Sequence, residues 1–276
     1  MFDWNAGMRK DLYTGTAKYY HEFRVPYSSK LIDDLRARAN LTGSGKLLDL
    51  GCGTGQLAFL MHKDFEEIWA VDKEEGMIEF GRRTAEERGI RNIRWIAERA
   101  ELLEVESDLF QLVGIANAFH RLGRRGAAKL TFRCLRPGSC LALFGCETPA
   151  SIRRTPGNSG WRPVLAEVVG KWIAKANTSD RFPKDAKDLE EVTDSMILDE
   201  AGFDYLGEFH FPASHFWTVD TILGLFRGTS YLSQYSLGSK HDEFENELRN
   251  KFLACEDSGV FPDTLDFHYQ LARRPE

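Results

Sequence analysis

Between Lys46 and Cys146 short apolar runs alternate with longer segments of mixed polarity. The runs are KLLDL, EIWAV, IRWIA, FQLVGI and CLALFG, and Gln56 to Lys63, Glu74 to Arg88 and Arg124 to Leu135 lie between them as predicted helices. In the last of these Ala127, Leu130 and Cys134 recur at helical spacing. Strands alternating with helices in this way predict an α/β fold, a parallel sheet with helices on both faces. Pro137-Gly138 is expected to stop the helix ahead of the fifth strand.

After Cys146 the rhythm breaks. GWRPVLAEVVGKWIAKANTS and DLEEVTDSMILDEAGF read as helices and DYLGEFHFPASHFW as a strand. Two further helical stretches, VDTILGLFRGTSYLS and HDEFENELRNKFLAC, precede a closing strand, TLDFHYQLARR, so an insertion is expected between the last two strands. Upstream, DLYTGTAKYYHEFRVPYSSKLIDDLRARA predicts two helices broken at Pro26. The second places Leu31, Ile32 and Leu35 on one side; the first is dense in aromatic residues, with Tyr13, Tyr19, Tyr20 and Phe23.

At 276 residues the chain is long enough to bury a sizeable core. Its five cysteines form no CxxC pair and are odd in number, which suggests neither a disulfide framework nor a zinc knuckle and fits a reducing, cytoplasmic setting. No stretch approaches the roughly 18 unbroken apolar residues of a membrane span, so a soluble protein is expected. A formal charge of −6 argues against a broad nucleic-acid surface. The pairs Arg82-Arg83, Arg124-Arg125 and Arg153-Arg154 read as solvated faces.

The candidate chemistry begins at Gly51-Cys52-Gly53-Thr54-Gly55, between a predicted strand and a predicted helix. That geometry places a ligand at the carboxyl end of the first strand, on backbone N–H groups and a helix N-terminus. The Lys-Ser/Thr ending of a phosphate-cradling loop is absent. The next strand ends in Asp72, about twenty residues on, where a carboxylate can accept both hydroxyls of a ribose. Loop and acid together make a nucleoside site.

At these residues the sequence resembles the class I S-adenosylmethionine-dependent methyltransferases. LLDLGCGTGQLA matches their first motif, VDKEEGMIEFGRR the second, WIAERAEL the third, and FQLVGIANAFHRLGRR with LRPGSCLALFG the fourth and the strand after it. The resemblance implies a Rossmann-like seven-stranded sheet whose last strand is antiparallel, with S-adenosyl-L-methionine as cofactor. Residues 1–40 would form an N-terminal helical lid, 41–150 the cofactor-binding core, and 151–276 a substrate cap with the closing strands. By position, Gly51, Gly53 and the backbone around them would bind the methionine end, with Asp49 organising the loop. Asp72 would take the ribose, Met77 would help pack the adenine, Ala100 and Glu101 would line its edge, Asn117 would close the pocket beneath the sulfonium, and Tyr19, Cys52, Gln56 and Lys73 would be further cofactor-binding residues. Arg99 departs from the family, many of whose members place Asp there.

Methyl transfer requires alignment, exclusion of water and removal of a proton. His120, just after the fourth strand, is the candidate base, and Arg121 beside it is expected to face water. Tyr13, Tyr19 and Tyr20 would cover the sulfonium with ring faces, which makes Tyr20 a second candidate catalytic residue. Trp161, His215, Trp217 and Tyr231 would join Tyr13 and His120 in the substrate wall. No metal is expected, because His210 and His215 sit on a strand without carboxylates at ligand spacing. The closing segments resemble small-molecule methyltransferases of actinobacterial secondary metabolism, implying N- or O-methylation of an antibiotic or aminosugar-like metabolite. The expected partner is a small molecule, with no membrane, no nucleic acid and room for a homo-oligomer. Two alternatives stay open: a cyclase of the same fold using S-adenosylmethionine structurally, and a ribosomal-RNA methyltransferase.

Overall fold

The computed structural model describes residues 13, 15–150, 160–176 and 192–276. Among these, β1 (Lys46–Leu50), β2 (Glu67–Asp72), β3 (Ile93–Ala97), β4 (Phe110–Ala116), β5 (Leu135–Cys146), β6 (Asp204–Thr218) and β7 (Val260–Arg273) form one sheet in the order 3-2-1-4-5-7-6. The first five strands are parallel, and β7 runs antiparallel between β5 and β6. This is the expected seven-stranded, Rossmann-like sheet with its last strand reversed.

The helices are α1 (Ala17–Phe23), α2 (Ser29–Arg38), α3 (Gln56–Met61), α4 (Glu75–Glu87), α5 (Arg124–Cys134), α6 (Arg162–Ala176), α7 (Asp194–Glu200), α8 (Val219–Arg227), α9 (Gln234–Leu237) and α10 (His241–Cys255). β1 shows why its leucines fall on both sides of the strand. Leu47 packs into the core on one face of the sheet, Leu48 and Leu50 into the core on the other, and both faces are covered. Leu31, Ile32 and Leu35 of α2 are buried as their spacing predicts, and Ser28 caps that helix by accepting from the Leu31 N–H.

The end of α5 differs from expectation. The helix stops at Cys134 and β5 begins at Leu135, ahead of Pro137. Proline disfavours helical backbone in the residue before it, so the chain is already extended there. Leu135 pairs with Phe110, and the register then shifts before Leu112 meets Cys140. Pro137 and Gly138, the latter at φ +76°, fall within that irregularity.

The expected insertion between the last two strands is present as α8, α9 and α10. α6 joins it, with the Trp172 indole and Lys171 both donating to Glu247 of α10. α1 lies against α8 at a glycine: a Cβ on Gly224 would come within 2.4 Å of the Phe23 ring. Close helix contact there needs the missing side chain, and it fixes Tyr20 between the glycine loop and the insertion. All five cysteines are free. No helix among the described residues is long and apolar enough to cross a membrane.

Candidate functional site

The loop after β1 is built from backbone amides. Gly51 and Cys52 donate to the Val71 carbonyl at 2.8 and 3.0 Å, which joins the loop to the end of β2. Gly51 and Gly53 adopt φ of +74° and +54°, the left-handed region that favours glycine. Asp72 closes the arrangement: its Oδ2 accepts from Gly53 N at 2.8 Å and its Oδ1 from Glu74 N at 2.9 Å, at the start of α4. Burial raises the Asp72 carboxyl above its ordinary range, and these two hydrogen bonds work against that shift.

Asp49 lies beneath the loop, fully buried, with Oδ2 accepting from Ala58 N of α3 at 3.1 Å. It organises the loop's helix and lines neither of the two cavities described below. Burial pushes its carboxyl up to about 7, the charge on Asp72 adding to the rise. The fold therefore favours the neutral acid, and that stability is lost as pH rises from the ordinary carboxylate value through about 7. Asp49→Asn is thus expected to gain on the unaltered protein by up to about 1.4 kcal/mol per pH unit across that window and to level off above it. Thermal unfolding at pH 4.5 to 8.5, in steps of about one unit, reads the trend; a difference independent of pH would contradict it.

A cavity of about 540 Å³ opens beside the loop. Of the expected cofactor residues, Gly51, Gly53, Asp72, Lys73, Met77, Ala100, Glu101 and Asn117 line it. Asn117, in left-handed backbone at the end of β4, donates to the Tyr27 hydroxyl at 2.6 Å and accepts from Cys146 N at 3.3 Å. Its side chain is thereby held between the link from α1 to α2 and the end of β5. The cavity volume, the amide loop and the carboxylate at the second strand's end fit S-adenosylmethionine.

Three residues expected at the cofactor do not line this cavity. Cys52 turns into the core beneath the sheet, and burial pushes its thiol well up. Gln56 reaches back to the Tyr20 carbonyl at 3.5 Å, tying α3 to α1. Tyr19 stacks on Phe23 and lies under the Arg227 guanidinium, on the side of a second cavity.

That second cavity, a chamber of about 420 Å³, is lined by α1, the turn after β4, the end of β5, β7 and the segment after α8. Tyr13, Tyr20, Asn117, Ala118 and Arg121 line both cavities, so the two spaces share one wall. His120 and Tyr231 line the chamber as expected. His120 stands exposed on the 3-10 turn Phe119–Arg121, and Tyr231 is buried with its hydroxyl donating to Ala150 O at 2.6 Å.

Trp161, His215 and Trp217 line neither cavity. Trp161 is buried against Phe252 and Phe261, its indole donating to Pro262 O at 3.2 Å. Trp217 is also buried, donates to Asp263 Oδ2 at 2.9 Å, and packs against His215 with ring centroids 4.2 Å apart. Asp263 takes Arg162 as well, at 2.6 Å, so this cluster braces the insertion against β7. Arg121, expected to face water, lies over the Tyr13 ring with Nη1 buried. Arg124 is likewise drawn inward, pairing with Asp194 at 2.8 Å to join α5 to α7.

The expectation about metals rested on His210 lacking carboxylate neighbours. Strand pairing supplies them: His210 Nδ1 is 2.7 Å from Asp266 Oδ2, and Glu208 Oε1 lies 3.6 Å from His210 Nε2 and 3.8 Å from His268 Nε2. Glu208, His210 and His268 are grouped closely enough to hold an ion. Arg24, Tyr27 and His268 were missed in the sequence. Arg24 and His268 line the chamber, and no local pattern marks them, because they come from opposite ends of the chain.

Residues 47–138 match the family model described as a methyltransferase domain. The ubiquinone/menaquinone biosynthesis C-methyltransferase of Zymomonas mobilis subsp. mobilis is 32% identical over 84 residues, 30% of this chain and 35% of the relative. The ribosomal RNA small subunit methyltransferase G of Deinococcus deserti is 30% identical over 165 residues, 52% of this chain and 66% of the relative. The chain thus spans less than two thirds of the length of each. A solved phosphoethanolamine N-methyltransferase 2 from Haemonchus contortus, with S-adenosylhomocysteine bound, superposes with a TM-score of 0.55 at 14% identity, covering 100% of this chain and 61% of that one. Residues 47–138 match a methyltransferase domain, and the fold is shared with solved methyltransferases.

Proposed function

We propose that this chain, whose residues 47–138 match a methyltransferase domain, is an enzyme that moves a methyl group from S-adenosylmethionine to a nitrogen or oxygen of a small molecule. The observation that carries the reading is the wall common to the two cavities. It brings a nucleoside-sized site and a second chamber end to end, as transfer between two ligands requires. When bound, S-adenosylmethionine supplies a methyl group activated by a sulfonium and open to in-line displacement. The chain's own residues then align the acceptor, exclude water and receive a proton.

Tyr20 is part of that wall. Burial holds its phenol protonated, which suits a donor and not a base. His120, exposed on the chamber lining, is the group placed to take the acceptor's proton. His120→Ala is expected to lower kcat about a hundredfold. Full turnover by this variant at every pH would leave alignment alone as the source of rate.

The size of the chamber, about 420 Å³, suits a small molecule better than a nucleic acid, and the formal charge of −6 supports the same choice. A natural-product acceptor is the narrower form of the proposal and rests on the closing segments' resemblance. The cyclase reading shares the cofactor site and differs only in turnover. Incubation with S-adenosylmethionine and a metabolite panel, followed by mass spectrometry, separates them. A methyl-mass gain matched by S-adenosylhomocysteine is expected; cofactor binding with a rearranged, unmethylated product would favour the cyclase.

A further inference from the structure

The chamber contains two guanidinium groups that methyl transfer itself does not need. Arg24 follows α1 directly, Arg121 ends the turn after β4, and both line the chamber. Arg24 lies 5.4 Å over the Tyr20 ring and Arg121 5.6 Å over the Tyr13 ring. After burial, the strongest influences on Arg24's charge are Tyr20, Tyr27, Cys146 and Tyr13. Arg121 Nη1 is buried without a hydrogen-bond partner among the described residues. Both charges are felt by Tyr20 and by Tyr231, so the two guanidinium groups address the same space.

Two acids also line the chamber, and neither is free. Asp194 accepts from Arg124 at 2.8 Å, and Glu147 has interactions of its own. Two half-buried cations with no ion pair among the described residues are costly, and the cost is offset when a ligand brings the opposite charge. The planar donor fork of arginine matches carboxylate and phosphate oxygens in pairs.

We infer that the acceptor carries an oxyanion, either a carboxylate or a phosphate ester, which Arg24 and Arg121 hold in the chamber while its methyl-accepting atom faces the shared wall. This rests on the assignment of the chamber to the acceptor and names its substrate class. It also turns the choice away from a simple aminosugar, whose cation would meet two like charges.

The test is calorimetric titration of the S-adenosylhomocysteine-saturated protein with inorganic phosphate and, separately, with sodium acetate. Saturable binding of at least one is expected, weakened about tenfold or more by Arg24→Gln and by Arg121→Gln. Arg24→Lys, which keeps the charge, is expected to retain most of it. Preference for phosphate assigns a phosphate ester, and preference for acetate a carboxylate. Arg24→Gln, at a residue that lines the chamber and not the cofactor cavity, should keep S-adenosylhomocysteine affinity within about twofold. A larger loss would assign the arginine to the cofactor's own carboxylate and overturn the inference. So would the absence of oxyanion binding in the unaltered protein, or binding that both Gln variants keep. If the unaltered protein fails to bind S-adenosylhomocysteine, the methyl-transfer reading falls instead, and the oxyanion titration is then read on the cofactor-free protein.

Discussion

Gly51→Val is expected to raise the dissociation constant for S-adenosylhomocysteine more than about a hundredfold, the largest effect of any single change at the loop. Gly51 sits at φ +74°, and a Cβ there would lie 2.7 Å from the Cβ of Ala118. Ala118 lines both cavities, so the collision falls on the shared wall. A β-branched residue also pays about 1 to 2 kcal/mol to hold left-handed backbone. The loop escapes both by moving away from Val71, to which Gly51 N donates at 2.8 Å, and the amides leave their places. Calorimetry should show the loss of binding while thermal unfolding shows a drop of only a few degrees, since the strain is local. Unchanged affinity would mean that the loop does not touch the ligand.

The second large effect is expected at Asp72. Asp72→Ala removes the carboxylate that would accept the ribose hydroxyls and frees the amides of Gly53 and Glu74, held at 2.8 and 2.9 Å. Losing two or more hydrogen bonds to a charged group amounts to about 3 kcal/mol or more, near a hundredfold in affinity. Stability should suffer less, because burial already disfavours the charge on Asp72. Asp72→Asn keeps an acceptor for one amide and is expected to fall between the two. Equal affinity in all three proteins would remove Asp72 from the site.

The sheet and the cofactor cavity were legible in the sequence because their signals are local. A glycine loop between an apolar run and a helix, with an acid at the next strand's end, states its geometry within one strand–helix–strand unit. The chamber has no such signal. Arg24, Arg121, Tyr231 and His268 meet only after β7 inserts between β5 and β6 and α1 docks on Gly224. The tryptophans were misassigned for a related reason. An indole on an apolar segment suits a ligand wall or a core equally well, and what decides is the N–H partner. Trp161 finds Pro262 and Trp217 finds Asp263, partners that lie far along the chain. His210 gained its carboxylate neighbours the same way, through pairing of β6 with β7.

The central claim is that a cofactor site and an acceptor chamber work through one wall. It is tested most directly by incubating the protein with S-adenosylmethionine labelled in its methyl group and small carboxylic acids and phosphate esters, then following the label by mass spectrometry. The predicted result is label on an acid or ester, matched one to one by S-adenosylhomocysteine and lost in Asp72→Ala. Cofactor bound at Asp72 with the label remaining on it across both classes of acceptor would contradict that account.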